Sequence, residues 1–438
     1  MSEQKQSKAP EDVSRLAAML MELDDMLVSC MRCGNCQAVC PVYGATMREA
    51  DVTRGKIALL ENLAYNIITD AESVNEKLNR CLLCGSCQAN CPSGVKILDI
   101  FLRARAIVAG YLGLTPVKKF IFRGLLTRPR LFNSLMDLSG KFQGLFLKDA
   151  NKVVGTSCST LLTPFIGERH FPSLAKESFH SKVPSLDTPA GSSGKRVAFF
   201  PGCVSDKIFP NVAEAVLTIM EKHGVGVYMP PKQGCCGIPA LASGDRKAYD
   251  ELVLQNLKLF GDGNFDYLIT PCATCAATIK EIWPMLMEGY PGTVRSQIEV
   301  LHGKTIDCTA FLLDVLKVKL PEAGQGGRRV TYHDSCHMKK SLGVSEQPRA
   351  ILKNLPGYEF VELPEADRCC GSGGSFTLYN YDLSKQIGQR KRDNIVSVRP
   401  DAVATGCPAC MMQIMDMLSQ NGDNIPVKHV LELYADTL

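Results

Sequence analysis

Eight of the twenty cysteines in this chain fall into two copies of one spacing, C-x2-C-x2-C-x3-C-P. The copies are Cys30, Cys33, Cys36 and Cys40, followed by Pro41, and Cys81, Cys84, Cys87 and Cys91, followed by Pro92. In such a run three closely spaced thiolates wrap three corners of an iron–sulfur cube, and the fourth cysteine closes the cube held by the other run. The spacing predicts one [4Fe-4S] cluster on Cys30, Cys33, Cys36 and Cys91, and a second on Cys81, Cys84, Cys87 and Cys40. Disulfides suit small secreted scaffolds and zinc sites use paired cysteines, so neither accounts for two such runs. Electron carriage is the implied chemistry.

Ten further cysteines form an internal repeat. The first copy runs Cys203, then the pair Cys235 and Cys236, then Cys272 and Cys275. The second runs Cys336, then the pair Cys369 and Cys370, then Cys407 and Cys410, at nearly the same intervals. Two such ladders mark a duplication, with copies expected over 195–320 and 327–438. Short β-branched or aromatic runs such as Val197–Phe200, Tyr267–Thr270 and Ala402–Thr405 each end near a cysteine. Helical patterns follow at about 208–223, 246–260 and 273–288, and again at about 346–355, 381–397 and 408–419. This alternation predicts two small parallel α/β sheets, with every cysteine group at the carboxyl edge where ligands bind. Gly237 and Gly371 fit the sharp bend that would turn two adjacent thiols toward one site. Cys272 and Cys407 precede helices whose first N–H groups suit an anionic cluster. Structural zinc and buried reduced thiols are the alternatives, although five cysteines exceed the four that a tetrahedral zinc takes.

The formal net charge of +4 is too small for nucleic acid to be the main partner. No apolar signal core follows Met1, and no run approaches the roughly 18 apolar residues that span a bilayer. Cysteines committed to metals then point to the cytoplasm. Residues 106–194 read as a helical connector and linker, with Lys118, Lys119, Arg123, Arg128, Arg130 and Lys141 among apolar residues. A basic amphipathic helix of this kind lies on membranes or bridges two domains, and the bridge is the preferred reading. Residues 189–195 and 321–327 have linker composition. His333 and His337 bracket Cys336 and read as cluster ligands, proton donors or partners of the cysteine, with a polar residue satisfied at a loop edge the preferred reading. Cys158 falls outside every pattern, and Cys308 and Trp283 read as core.

With "CMRCGNCQAVCP", "DVTRGKIALLENL", "CLLCGSCQANCPSG", two CCG segments and "GCPAC" in hand, the chain resembles the iron–sulfur subunits of glycolate or lactate oxidising complexes. More broadly it resembles the CCG proteins, which include heterodisulfide reductase and the iron–sulfur subunit of anaerobic glycerol-3-phosphate dehydrogenase. The resemblance runs from about residue 26 to the end. It implies an α-helical ferredoxin module over 1–105, which suits the long interval between Cys40 and Cys81, followed by two duplicated α/β CCG domains. It implies one or two further iron–sulfur clusters, cubane or non-cubane, on Cys203, Cys235, Cys236, Cys272 and Cys275 and on Cys336, Cys369, Cys370, Cys407 and Cys410. No dinucleotide-binding glycine fingerprint is present, so FAD is expected on a partner subunit that oxidises a 2-hydroxyacid. A quinone or another carrier would accept the electrons, with peripheral contact at the inner face of the membrane. A heterodisulfide reductase-like subunit or a glycerol-3-phosphate dehydrogenase-type adaptor is the alternative.

Overall fold

The computed structural model describes residues 10–159, 167–261, 264–321 and 326–438. The chain start read above, and most of the expected linker at 321–327, lie outside the described residues.

Residues 10–112 are helical without strands. In helix Thr53–Ala64 the residues Ile57, Leu60, Leu63 and Ala64 recur at helical spacing and are buried together. Helix Ala71–Asn79 starts where the Asp70 carboxylate accepts from the Ser73 N–H at 3.0 Å. Helix Ile97–Leu112, buried along most of its length, ends at Gly113 with φ +82°. Helix Pro10–Met21 packs on both Thr53–Ala64 and Ile97–Leu112, so a closed helical core surrounds the two cysteine loops.

The connector continues through helical turns Pro116–Lys119 and Phe120–Leu126 and helix Pro129–Phe142. It then forms a three-stranded antiparallel sheet of β1 (Lys148–Asn151), β2 (Thr156–Cys158) and β3 (Phe171–Pro172), where the sequence suggested a helical connector and linker. These strands are too short to show an alternating pattern, and packing on helix Pro408–Gln420 holds them. The Thr156 and Ser419 hydroxyls meet there at 2.5 Å.

The first duplicated unit has strand order β4 (Leu186–Asp187), β6 (Gly226–Met229), β5 (Arg196–Phe199), β7 (Tyr267–Thr270), β8 (Thr305–Asp307). Only β4 runs antiparallel. The second has the order β10 (Tyr358–Val361), β9 (Arg328–His333), β11 (Ala402–Thr405), β12 (Val427–His429), all parallel. Apart from the β4 edge, the two orders are the same. Val197, Ala198, Phe199, Val330, Tyr332, Val403 and Ala404 are buried because helices cover both faces. Residues 189–195 form an ordered turn rather than a loose linker. The Ser193 hydroxyl donates to the Gly224 carbonyl at 2.8 Å, and a Cβ on Gly191 would lie 2.8 Å from the same oxygen.

The two units pack through helix Pro210–Lys222 against helix Val430–Ala435, around Val216, Tyr332, Val430 and Tyr434. Their sheets meet at the carboxyl ends. There the Ala273 N–H reaches the Gly406 carbonyl at 3.4 Å and His429 Nε2 lies 2.8 Å from the Pro271 carbonyl. The helical module contacts both units, with Ile97–Leu112 on Ile238–Ala242 and Pro41–Thr46 on Tyr381–Ser397.

Candidate functional site

The two cysteine loops of the helical module share one backbone solution. Arg32 and Leu83, each just before the second cysteine of its run, hold φ of +56° and +53°. Gly34 and Gly85, just after it, hold +90° and +71°. Left-handed residues on either side of a cysteine curl the loop so that N–H groups point inward, a cradle for an anion. The Leu83 N–H donates to Cys81 Sγ and the Tyr43 N–H to Cys40 Sγ, each at 3.4 Å. Cys30, Cys33, Cys36 and Cys91 line one void, and Cys40, Cys81, Cys84 and Cys87 line a second. Burial pushes the Cys40 thiol up to about 12 and raises Cys87 as well. Such thiols ionise only when a cation takes the place of the proton.

In the duplicated units the ten cysteines form one continuous file of thiols. Cys203 lies beside Cys235, which lies beside Cys236; Cys236 lies beside Cys275, and Cys275 beside Cys272. Cys272 then lies beside Cys407 across the interface between units. Cys407 lies beside Cys410, Cys410 beside Cys370, Cys370 beside Cys369, and Cys369 beside Cys336. The file also reaches the helical module, because Cys369 lies beside Cys84. Hydrogen bonds from Cys369 and Cys410 hold the Cys370 thiol well below its ordinary range, and those from Cys272 and Cys410 do the same for Cys407. Eight of these ten cysteines are buried, all but Cys203 and Cys336. Gly202, with φ +77°, lets the β5 turn approach the site, since a Cβ there would lie 3.1 Å from Cys275 Sγ. Gly237 and Gly371, at φ +98° and +94°, make the bend after each cysteine pair.

Cations surround these thiols. Lys56, Arg105 and Lys391 are 2, 3 and 2% exposed, and their hydrogen bonds go to backbone carbonyls. Buried cations so placed call for negative charge nearby, and Cys81 and Cys40 flank Lys56 while Cys370 and Cys369 flank Lys391. The donor set and its charge environment fit anionic iron–sulfur clusters better than neutral reduced thiols. Sequence reasoning missed these cations, because a lysine or arginine in a helix gives no local sign of burial beside a distant thiol.

Other residues fix the cysteine loops. Trp283 Nε1–H donates to the Cys236 carbonyl at 3.1 Å, and Asn256 Nδ2 donates to the Cys235 carbonyl at 2.9 Å. Trp283 is therefore core, and also a strut for the first cysteine pair. His337 spans the modules, with Nε2 3.1 Å from the Leu83 carbonyl and Nδ1 3.1 Å from Thr274 Oγ1. Arg349 grips Asp334, two residues before Cys336, with two bonds of 2.7 and 2.8 Å. Cys308 is buried in the core away from the file, and Cys158 lies on β2. In the connector, Arg123 pairs with buried Asp245 at 2.9 Å and Lys118 stands over the Tyr379 ring, so both belong to a bridge.

These features define a class: an electron-transfer subunit in which an α-helical dicluster ferredoxin is joined to two cysteine-rich domains. Comparison with known proteins agrees. The 4Fe-4S dicluster domain family matches residues 26–95, and the cysteine-rich domain family matches 197–280 and 330–415. The chain belongs to the family of glycolate oxidase-type iron–sulfur subunits. It is 30% identical to the "Probable glycolate oxidase iron-sulfur subunit" of Bacillus subtilis over 90% of both chains. It is 29% identical to a subunit of the CoM/CoB fumarate reductase of Methanothermobacter marburgensis, over 82% of this chain and 72% of that one. "Lactate utilization protein A" of Geobacillus thermodenitrificans is 36% identical over 54% of this chain and 98% of its own length.

Proposed function

We propose that the protein carries electrons from an FAD-bearing partner that oxidises lactate or glycolate to a quinone or a similar carrier. The supporting observation is the unbroken file of thiols from the Cys81–Cys87 loop, through Cys84 and Cys369, to Cys203. Clusters bound on these thiolates supply one-electron transfer. Two [4Fe-4S] clusters are assigned to Cys30, Cys33, Cys36 and Cys91 and to Cys81, Cys84, Cys87 and Cys40, with one or two more on the ten-cysteine file. The chain's own residues hold these sites in one order. Cys87 borders both voids of the helical module, and Cys369 touches Cys84. The substrate class rests on similarity to proteins named for glycolate and lactate.

The acceptor side draws on the connector. Val117, Phe120, Leu131, Leu138, Phe142 and Leu145 are exposed there, beside exposed Lys119, Arg128, Arg130 and Lys141. An apolar face flanked by cations suits the surface of an anionic membrane, where a quinone is found. No helix among the described residues is long and apolar enough to cross a membrane. Contact at the cytoplasmic face therefore fits a peripheral protein.

Reduction of a disulfide is the second reading, favoured by the two complete five-cysteine ladders. A cavity of about 270 Å³ lies where all three modules meet, lined by Leu83, Ile238, Ala277, His337 and Lys340. The deciding experiment is anaerobic purification of the complex with its partner, followed by cluster reduction monitored optically and by EPR. Bleaching by lactate or glycolate supports the first reading. Reduction by a dithiol, with neither hydroxyacid active, replaces it with the second.

A further inference from the structure

The two cysteine-rich units are not equivalent at the end of their first strand. Where the first copy reads "AFFPGC", the second reads "TYHDSC", so His333 stands in the place of Phe200. His333 is 0% exposed. A ring nitrogen of His333 and the sulfurs of Cys370 and Cys410 all lie within 4.8 Å of one another.

The hydrogen-bonding pattern identifies the free nitrogen. Nδ1 lies 3.1 Å from the Ala366 carbonyl, an oxygen that only accepts, so Nδ1 carries a proton. Nε2 is buried and has no partner. The other histidines near the file differ in this respect. His337 engages both ring nitrogens, and His429 engages Nε2 with the Pro271 carbonyl and Nδ1 with the Leu431 N–H. A buried imidazole with its N–H held by a carbonyl, its other nitrogen bare and two cysteine sulfurs within reach of the ring resembles a metal-ligating histidine. The Ala366 carbonyl also accepts from the Asp334 N–H and from Lys391, which fixes the oxygen that orients the ring.

We propose that His333 Nε2 is an iron ligand in the second cysteine-rich unit, completing the coordination of the iron held by Cys370 and Cys410. The inference rests on the assignment of a cluster to this unit. The first unit, with Phe200 in the equivalent place, binds through sulfur alone. Both units keep five cysteines, so His333 adds a neutral donor at the second site rather than replacing a thiolate. The duplication has thus produced two sites of different ligation from one fold, with the nitrogen donor in the unit whose Cys369 touches Cys84 of the ferredoxin module.

The test is pulsed EPR of the anaerobically prepared full chain, grown with either natural-abundance or ¹⁵N-labelled histidine. A strongly coupled histidine nitrogen that responds to the label is expected, and it should vanish in His333→Phe while the signal of the first unit persists. Iron and sulfide counts on the same samples show whether the variant still loads. If His333→Phe does not load, the labelled wild-type spectrum decides by itself. A cluster signal from the second unit carrying only the weak coupling of backbone amides overturns the ligand assignment and leaves the electron-transfer reading intact. Absence of any cluster from the two units, with the ferredoxin clusters present, overturns both.

Discussion

Replacing Arg105 with alanine tests whether the ferredoxin module and the first cysteine-rich unit are clasped together. The guanidinium donates to the Leu78 carbonyl at 2.6 Å, the Cys81 carbonyl at 2.8 Å and the Ala242 carbonyl at 2.7 Å. The first two belong to the ferredoxin module and the third to the first cysteine-rich unit, so one side chain ties the Cys81 loop to its neighbour. Arg105→Ala leaves three buried carbonyls without this donor, each worth about 1–3 kcal/mol. Water entering the space recovers part of that, so about 3 kcal/mol is the expected net loss. At about 2–4 °C per kcal/mol for domains of this size, Tm should fall by about 6–12 °C. Arg105→Lys keeps the charge, but one ammonium cannot match the planar fork, so an intermediate loss is expected. The assay is anaerobic calorimetry or circular dichroism, paired with iron content before and after heating. The Arg105→Ala protein should also release iron at a lower temperature than wild type. A Tm within about 1 °C of wild type with unchanged iron release would show that the carbonyls find other partners, refuting the clasp.

Further outcomes follow from the same contacts. Gly244→Ala should destabilise the same junction, because Gly244 has φ +85° and a Cβ there would lie 2.4 Å from Ala109 Cβ and 2.7 Å from the Arg105 carbonyl; equal Tm values would refute this close approach. Trp283→Phe keeps the ring packing and removes the bond to Cys236, so about 1 kcal/mol of stability should go and chelators should strip iron faster from the first cysteine-rich unit. Arg390 beside Glu365 holds that carboxylate down to about 2, below its unfolded value. Its stabilising effect is therefore present above about pH 4.3 and is lost as pH falls toward 2. Arg390→Gln should then cost about 1 kcal/mol or less at neutral pH, after screening at this exposed site, and nothing at pH 2, as read by urea titration at both values. Removal of iron should leave Lys56, Arg105 and Lys391 buried beside thiols that have lost their negative charge, so apo protein should melt well below the loaded form; coincident melting curves would contradict the charge argument.

Residue spacing alone carried the cysteine inventory, the duplication and most elements. Helix Arg246–Phe260, helix Tyr381–Ser397 and strands Tyr267–Thr270 and Ala402–Thr405 have the bounds that the apolar periodicity suggests. Local pattern is enough there because hydrogen bonding and side-chain period act over a few residues. Other features were beyond its reach. The strands Thr156–Cys158 and Phe171–Pro172 pack against helix Pro408–Gln420, near the other end of the chain. The ladders read as two separate five-cysteine sites, whereas packing of the sheets at their carboxyl ends joins Cys272 to Cys407, and docking of the helical module joins Cys84 to Cys369. The sequence also shows His333 opposite Phe200, but only the fold turns one nitrogen to a carbonyl, leaves the other without a partner and brings the ring beside Cys370 and Cys410. The candidate ligands were thus legible in local order, while the path between them and the charge around them arose from contacts between distant segments, which no short window of residues encodes.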